Sequence, residues 1–304
     1  MEHTFNIDGI PSQKGRLAIV TGANTGLGYE TALALAKKDF EVVIACRNME
    51  KAEDAKERIK REYPDAKLMC IRLDLSKQNS IRTFVDEFHL HYDQLDLLIN
   101  NAGIMMTPYK ITEDGFENQL ASNYLGHFTL VHLLLKTLEK TKGSRVVMVS
   151  SLAHKWNKIR FDDINFKKGY DPRQGYGQSK LACLMFAYIL DRRLKEHNFQ
   201  LRATAAHPGI TITNLINHFN PIIKFLAGLL SPLFFESTAN AALPIVRAAL
   251  DPDVLGGEYF GLSGWREYKG KPVRVNSNKR SKDEEAQKRL WKLSEELTGV
   301  KFFG

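Results

Sequence analysis

A chain of 304 residues, 43% apolar and 26% charged, can bury a sizeable core without covalent staples, and this composition excludes pervasive disorder. Three cysteines, odd in number and set in apolar segments, exclude a disulfide framework and suit reduced, buried thiols. The net charge is +8, and Arg266 to Lys301 alone holds eleven Lys/Arg against six Asp/Glu. Without zinc-finger spacing or an aromatic-interleaved RNA motif, that excess reads as a solvated basic surface and excludes nucleic acid, with an acidic membrane surface as the rival partner.

The residues before Arg16 hold no apolar run after a basic start, so no secretory signal is expected and the expected location is cytoplasmic. Apolar runs rich in β-branched residues then recur at Leu17–Thr21, Glu41–Cys46, Lys67–Leu73, Leu95–Asn100, Arg145–Ser150 and Leu201–Ala206. Helical periodicity fills the gaps at Gly26–Lys38, Met49–Tyr63, Ser76–His91, Gln119–Lys140 and Tyr176–His197. Two more helices are expected at about Ser237–Leu250 and Lys282–Thr298, flanking a short seventh strand at Glu258–Phe260. Near-continuous apolar strands alternating with helices predict an α/β fold: a doubly wound parallel sheet of about seven strands, covered on both faces. Composition shows no break and no repeat, so residues 1–304 read as a single domain.

Directly after the first strand comes Gly22-Ala23-Asn24-Thr25-Gly26-Leu27-Gly28, opening the first helix. Glycines there let the backbone turn sharply and approach a pyrophosphate seated on the positive helix N-terminus. At the end of the second strand, where a dinucleotide fold for NAD carries a ribose-binding acid, the chain reads Cys46-Arg47-Asn48. A guanidinium binds a 2′-phosphate that a carboxylate would repel, so NADP(H) is the expected cofactor. Asp74-Leu75 at the third strand's end suits the adenine edge, and Asn101-Ala102-Gly103 after the fourth lets the backbone approach the adenosine half.

Tyr176 and Lys180 stand four apart on one helix, so phenol and ammonium share a face. A nearby cation favours the phenolate, and such a tyrosine can give a proton to a carbonyl or take one from an alcohol. His127 and His132, and His89 and His91, lack a zinc-binding spacing, and no metal is expected. Cys183 reads as a packing thiol. Trp156, Phe161, Phe166 and Tyr170, between Ser151 and Tyr176, either floor a pocket or pack an extended loop.

The ordered set TGxxxGxG, NNAG, an asparagine after Gln119, a serine after the fifth strand, YxxxK and a late Pro-Gly resembles the short-chain dehydrogenase/reductase family over nearly the whole chain. The resemblance implies a Rossmann fold and an NADP(H)-dependent oxidoreductase interconverting an alcohol and a carbonyl on a small lipophilic substrate. It implies that Asn123 holds a water in a proton relay, that Ser151 bonds the substrate oxygen, and that Tyr176 is the acid/base. Lys180 would bind the nicotinamide ribose and assist the phenol, with Pro208, Gly209 and Thr211 lining the nicotinamide. Ile44-Ala45-Cys46-Arg47-Asn48, Asn123-Tyr124-Leu125-Gly126-His127-Phe128 and Arg289-Leu290-Trp291 are most similar to the retinol-dehydrogenase-like branch. The layout is also similar to light-dependent protochlorophyllide reductases, which leaves reduction of a conjugated double bond as an alternative activity; a non-catalytic NADPH sensor is another. Members of the family often pair through the two long helices, so a homo-oligomer is one expectation. The apolar stretch 211–236, broken by Pro221 and Pro232, is expected to form a substrate lid.

Overall fold

Five successive apolar or small residues, Leu17–Thr21, make a strand that is buried on both faces, so it forms the centre of a sheet. The computed structural model describes residues 5–210 and 236–303. In chain order the strands are β1 (Leu17–Thr21), β2 (Glu41–Cys46), β3 (Leu68–Arg72), β4 (Leu97–Asn100), β5 (Arg145–Val149), β6 (Arg202–Ala206), β7 (Tyr259–Leu262) and β8 (Pro272–Arg274). Their spatial order is β3-β2-β1-β4-β5-β6-β7-β8. All neighbours pair in parallel except β7 and β8, which are antiparallel with Phe260 opposite Arg274. The chain reverses its direction of winding between β1 and β4, which leaves a crevice above their carboxyl ends.

The helices are α1 (Gly26–Ala36), α2 (Met49–Glu62), α3 (Gln78–His91), α4 (Gly126–Lys140), α5 (Pro172–Glu196), α6 (Thr238–Leu250) and α7 (Glu284–Thr298). Ala32, Ile59 and Ile245 carry α1, α2 and α6 into the core on one face of the sheet. Phe84, Phe128, Phe186 and Trp291 carry α3, α4, α5 and α7 into the core on the other. Trp291 and Phe302 pack against both Phe128 and Phe186, so the C-terminal segment covers part of the two long helices.

Three elements differ from the sequence expectation. The sheet has eight strands rather than about seven. β8 is three residues long, begins at a proline and lies at the sheet edge, where the missing N–H costs nothing. The long helix α5 starts at Pro172, ahead of Tyr176, because Asp171 caps it by accepting N–H bonds from Arg173 (2.8 Å) and Gln174 (2.9 Å). The helix expected over Gln119–Lys140 is not continuous: a single turn, Asn118–Leu120, passes into a π-helical turn, Ala121–Leu125, before α4. The expected lid lies almost wholly outside the described residues, as does Thr211.

Candidate active site

The carboxyl ends of β1, β2, β3 and β4 border a groove of about 470 Å³. Its lining includes Gly22, Asn24, Thr25, Gly26, Leu27, Gly28, Arg47, Asp74, Leu75, Asn101, Ala102 and Gly103, together with Cys46, Ile104 and Ser122. The glycine-rich turn is closed by contact: a Cβ on Gly28 would collide with the Gly22 carbonyl oxygen and the Asn101 amide. The N-terminus of α1 has no side-chain cap, whereas Asn48, Asp171, Ser237 and Asp283 cap α2, α5, α6 and α7. Its N–H groups are therefore left for an anion in the groove. Asn48 does not line the groove; its side chain accepts the Lys51 N–H at 2.9 Å, a capping role.

A larger cavity of about 630 Å³ lies at the opposite edge, beneath Leu17 and Glu41. Tyrosines and carboxylates around it satisfy one another, as where Tyr92 donates to Glu41 at 2.6 Å, and no family motif reaches it.

Beside the carboxyl end of β5, α5 presents Tyr176 half-buried and Lys180 almost fully buried, at 4% exposure. The Lys180 ammonium donates to the Val149 carbonyl oxygen at 2.9 Å and stands 5.9 Å from the Tyr176 ring centre. Its other two protons meet no acceptor among the described residues, an unusual state for a buried cation. Ser150 Oγ donates to the Lys180 carbonyl at 2.8 Å and fastens α5 to the end of β5.

Ser151 follows β5 and caps the short helical turn Leu152–Lys155, accepting the Ala153 N–H at 3.2 Å. That bond occupies a lone pair and leaves the hydroxyl proton free to donate. The turn approaches α5 closely because Gly177 lacks a Cβ, which would press on the Ala153 carbonyl oxygen and Trp156. Trp156, 47% exposed, leans its ring to within 6.2 Å of Tyr176. Phe166 and Tyr170 instead pack edge to face in the extended loop, and Tyr170 bonds Gln119 and the Thr107 carbonyl.

Asn123 sits in the π-helical turn with its amide fully engaged. Nδ2 donates to the Ile104 carbonyl (2.9 Å) and to Ser179 Oγ (2.8 Å), and Oδ1 accepts the Ile104 N–H (2.8 Å). Its side chain thus clamps the turn after β4 to α5. The Asn123 carbonyl oxygen faces two donors, His127 Nδ1 at 2.9 Å and Cys183 Sγ at 3.1 Å. Cys183 is a buried thiol whose pKa burial pushes up to about 11.

After β6, His207 accepts the Gly209 N–H on Nδ1 (3.2 Å) and so donates from Nε2 to Glu267 (2.9 Å), holding the Pro208-Gly209 turn. Ile210 adds an N–H bond to the Tyr268 carbonyl oxygen at 3.1 Å. Sequence patterns left Val149 and His207 without a role, since a backbone carbonyl and a buried imidazole carry no motif, and took Thr21 only as the first residue of TGxxxGxG.

Residues 16–222 match the family model described as short chain dehydrogenase. Retinol dehydrogenase 12 of Mus musculus is 40% identical over 290 residues, covering 95% of this chain and 88% of that protein. Polyprenol dehydrogenase of Homo sapiens is 37% identical over 296 residues, covering 95% and 87%. Among solved structures, a protein from Mycobacterium paratuberculosis superposes with a TM-score of 0.82 at 36% identity over 99% of each chain.

Proposed function

Because this chain belongs to the short-chain dehydrogenase family and is an oxidoreductase similar to retinol dehydrogenases, we propose that it interconverts an alcohol and a carbonyl on a small lipophilic molecule with NADP(H). The observation that carries this reading is the buried Lys180 ammonium beside the Tyr176 ring, with one acceptor among the described residues. A purely structural lysine at that depth would be fully paired.

The residues present fit a dinucleotide: the uncapped α1 would hold the pyrophosphate, Arg47 the 2′-phosphate and Lys180 the nicotinamide ribose hydroxyls. When bound, the nicotinamide supplies or accepts the hydride. In the reducing direction Tyr176 gives its phenolic proton to the substrate oxygen, and in the oxidising direction it takes one back. Ser151 donates its hydroxyl proton to the same oxygen and orients it. Lys180, anchored by Val149, holds its ammonium 5.9 Å from the centre of the Tyr176 ring. Asn123 fixes the relative position of the turn after β4 and α5.

NADP(H) is favoured over NAD(H) by charge. The position of the usual ribose acid is Cys46, buried at the groove floor, and burial pushes its thiol pKa up to about 11, so it is uncharged near neutrality. Arg47 beside it is exposed and borders the groove. The lipophilic class is drawn from relatives named for retinol and polyprenol. Mixing the protein with NADPH and a panel of lipophilic aldehydes, ketones and quinones, and following nicotinamide absorbance, tests the reading. Turnover with long apolar carbonyls is expected; NADPH binding without turnover of any member would favour a sensor.

A further inference from the structure

No family motif assigns a role to His127. It is buried on the first turn of α4 with both ring nitrogens in use. Nδ1 lies 2.9 Å from the Asn123 carbonyl oxygen, and Nε2 lies 3.0 Å from Thr21 Oγ1. Proton accounting fixes the tautomer. A carbonyl oxygen can only accept, so Nδ1 carries the proton and Nε2 presents a lone pair. Thr21 Oγ1 accepts N–H bonds from Asn101 and Ala102, both at 2.9 Å, which fills its two lone pairs. Its single proton goes to Nε2 at 3.0 Å in preference to the Ile99 carbonyl oxygen at 3.3 Å. The opposite tautomer would set two acceptors face to face at Asn123 and crowd three donors onto Thr21. A cationic ring would also crowd Thr21, and burial, assisted by the Lys180 charge, pushes the imidazole pKa down to about 4.

The ring therefore joins Thr21 to the Asn123 turn directly, beside the Asn123 side chain that ties Ile104 to Ser179. Thr21 opens the glycine-rich turn, Asn101 and Ala102 form the groove wall after β4, and Asn123 belongs to the turn that clamps Ser179, the neighbour of Lys180. Resting on the nucleotide reading above, we propose that His127 is a positioning residue whose neutral Nδ1–H ring sets the nucleotide-binding turns against the Asn123–Lys180 corner of the site. Its two nitrogens serve opposite ends of the reaction, Nε2 the cofactor turns and Nδ1 the catalytic corner.

The two ends can be separated. An asparagine amide reaches the place of Nδ1, and a glutamine amide reaches that of Nε2. His127→Asn keeps the donor to Asn123 and leaves the Thr21 proton only the longer bond to the Ile99 carbonyl oxygen at 3.3 Å, so NADP(H) affinity should fall on the order of tenfold with kcat at saturating NADPH much less affected. His127→Gln keeps the Thr21 acceptor and leaves the Asn123 carbonyl only the Cys183 thiol as a side-chain donor, so kcat should fall on the order of tenfold with affinity near that of the wild type. Dissociation constants come from calorimetry with NADPH and rates from NADPH oxidation. On the wild-type protein, long-range ¹H–¹⁵N spectra of ¹⁵N-histidine-labelled material read the tautomer without any ligand, with the variants assigning the signal. A protonated Nδ1 and bare Nε2, unchanged from about pH 5 to about pH 8, are expected. An Nε2–H ring, a ring that titrates in that range, or two variants with the same kcat and affinity would overturn the role of His127 and leave the functional reading standing. A wild-type protein that binds no NADP(H) would sink both.

Discussion

At the end of β2 a single atom type decides the cofactor argument. The Cys46 sulfur lies beneath the glycine-rich turn; burial raises its pKa to about 11, while the backbone N–H groups of Asn24, Ala23 and Gly22 pull weakly the other way. A neutral thiol neither repels a 2′-phosphate nor grips a ribose diol. Replacing Cys46→Asp together with Arg47→Ala should therefore move preference from NADPH toward NADH, measured as the ratio of kcat/KM for the two. An unchanged ratio would remove Arg47 from the phosphate site. The place of this pair on the groove was legible in the sequence because strand ends are a local signal. His127 was not: Asn123 lies one turn before it, but Thr21 is brought to it from 106 residues away by the fold of the sheet, and no spacing announces that. Asn48, by contrast, looked like a cofactor residue from its place after Arg47, and the structure gives its side chain to the cap of α2.

Four helices are closed by Asn48, Asp171, Ser237 or Asp283; α1, α3 and α4 begin without such a cap, and of these it is α1 that opens onto the groove. The first glycine-rich turn can lie so close to α1 only because Gly28 has no Cβ. Gly28→Ala must part the turn from the helix, at a cost of about 1–3 kcal/mol, and should weaken NADPH binding as well as lower the thermal midpoint. A variant as stable and as tight as the wild type would show that the close approach is dispensable. The sequence pattern places the start of α5 at Tyr176, one turn late, although Asp171-Pro172 is a cap followed by proline at the first helical position. The π-helical turn was not legible, because Ala121–Leu125 continues the apolar periodicity of α4 and the extra residue per turn leaves no mark in the pattern. β8 was missed for a related reason: three residues against an edge are too few to show a period.

For the molecule as a whole, the alternation of apolar strands with amphipathic helices was enough to read the parallel sheet, its doubly wound order and the groove at the carboxyl ends of its strands. What the alternation could not supply is the burial of histidines at the carboxyl ends of the strands. Burial pushes both His127 and His154 down to about 4. In the unfolded chain a histidine titrates near ~6.5. Between those values the unfolded chain binds protons that the folded chain refuses, so stability is fully present above about pH 6.5 and drains away as the pH falls toward 4. The thermal midpoint should drop steadily across that window; a flat profile would mean that these rings are protonated in the fold. The central claim is that Tyr176 moves the proton while a bound nicotinamide moves the hydride, and one measurement addresses it most directly: single-turnover NADPH oxidation by Tyr176→Phe beside the wild type, with a lipophilic carbonyl that the wild type reduces. The account predicts unaltered NADPH affinity and a rate lower by roughly 10²–10⁴-fold, whereas a variant that keeps the wild-type rate would contradict it.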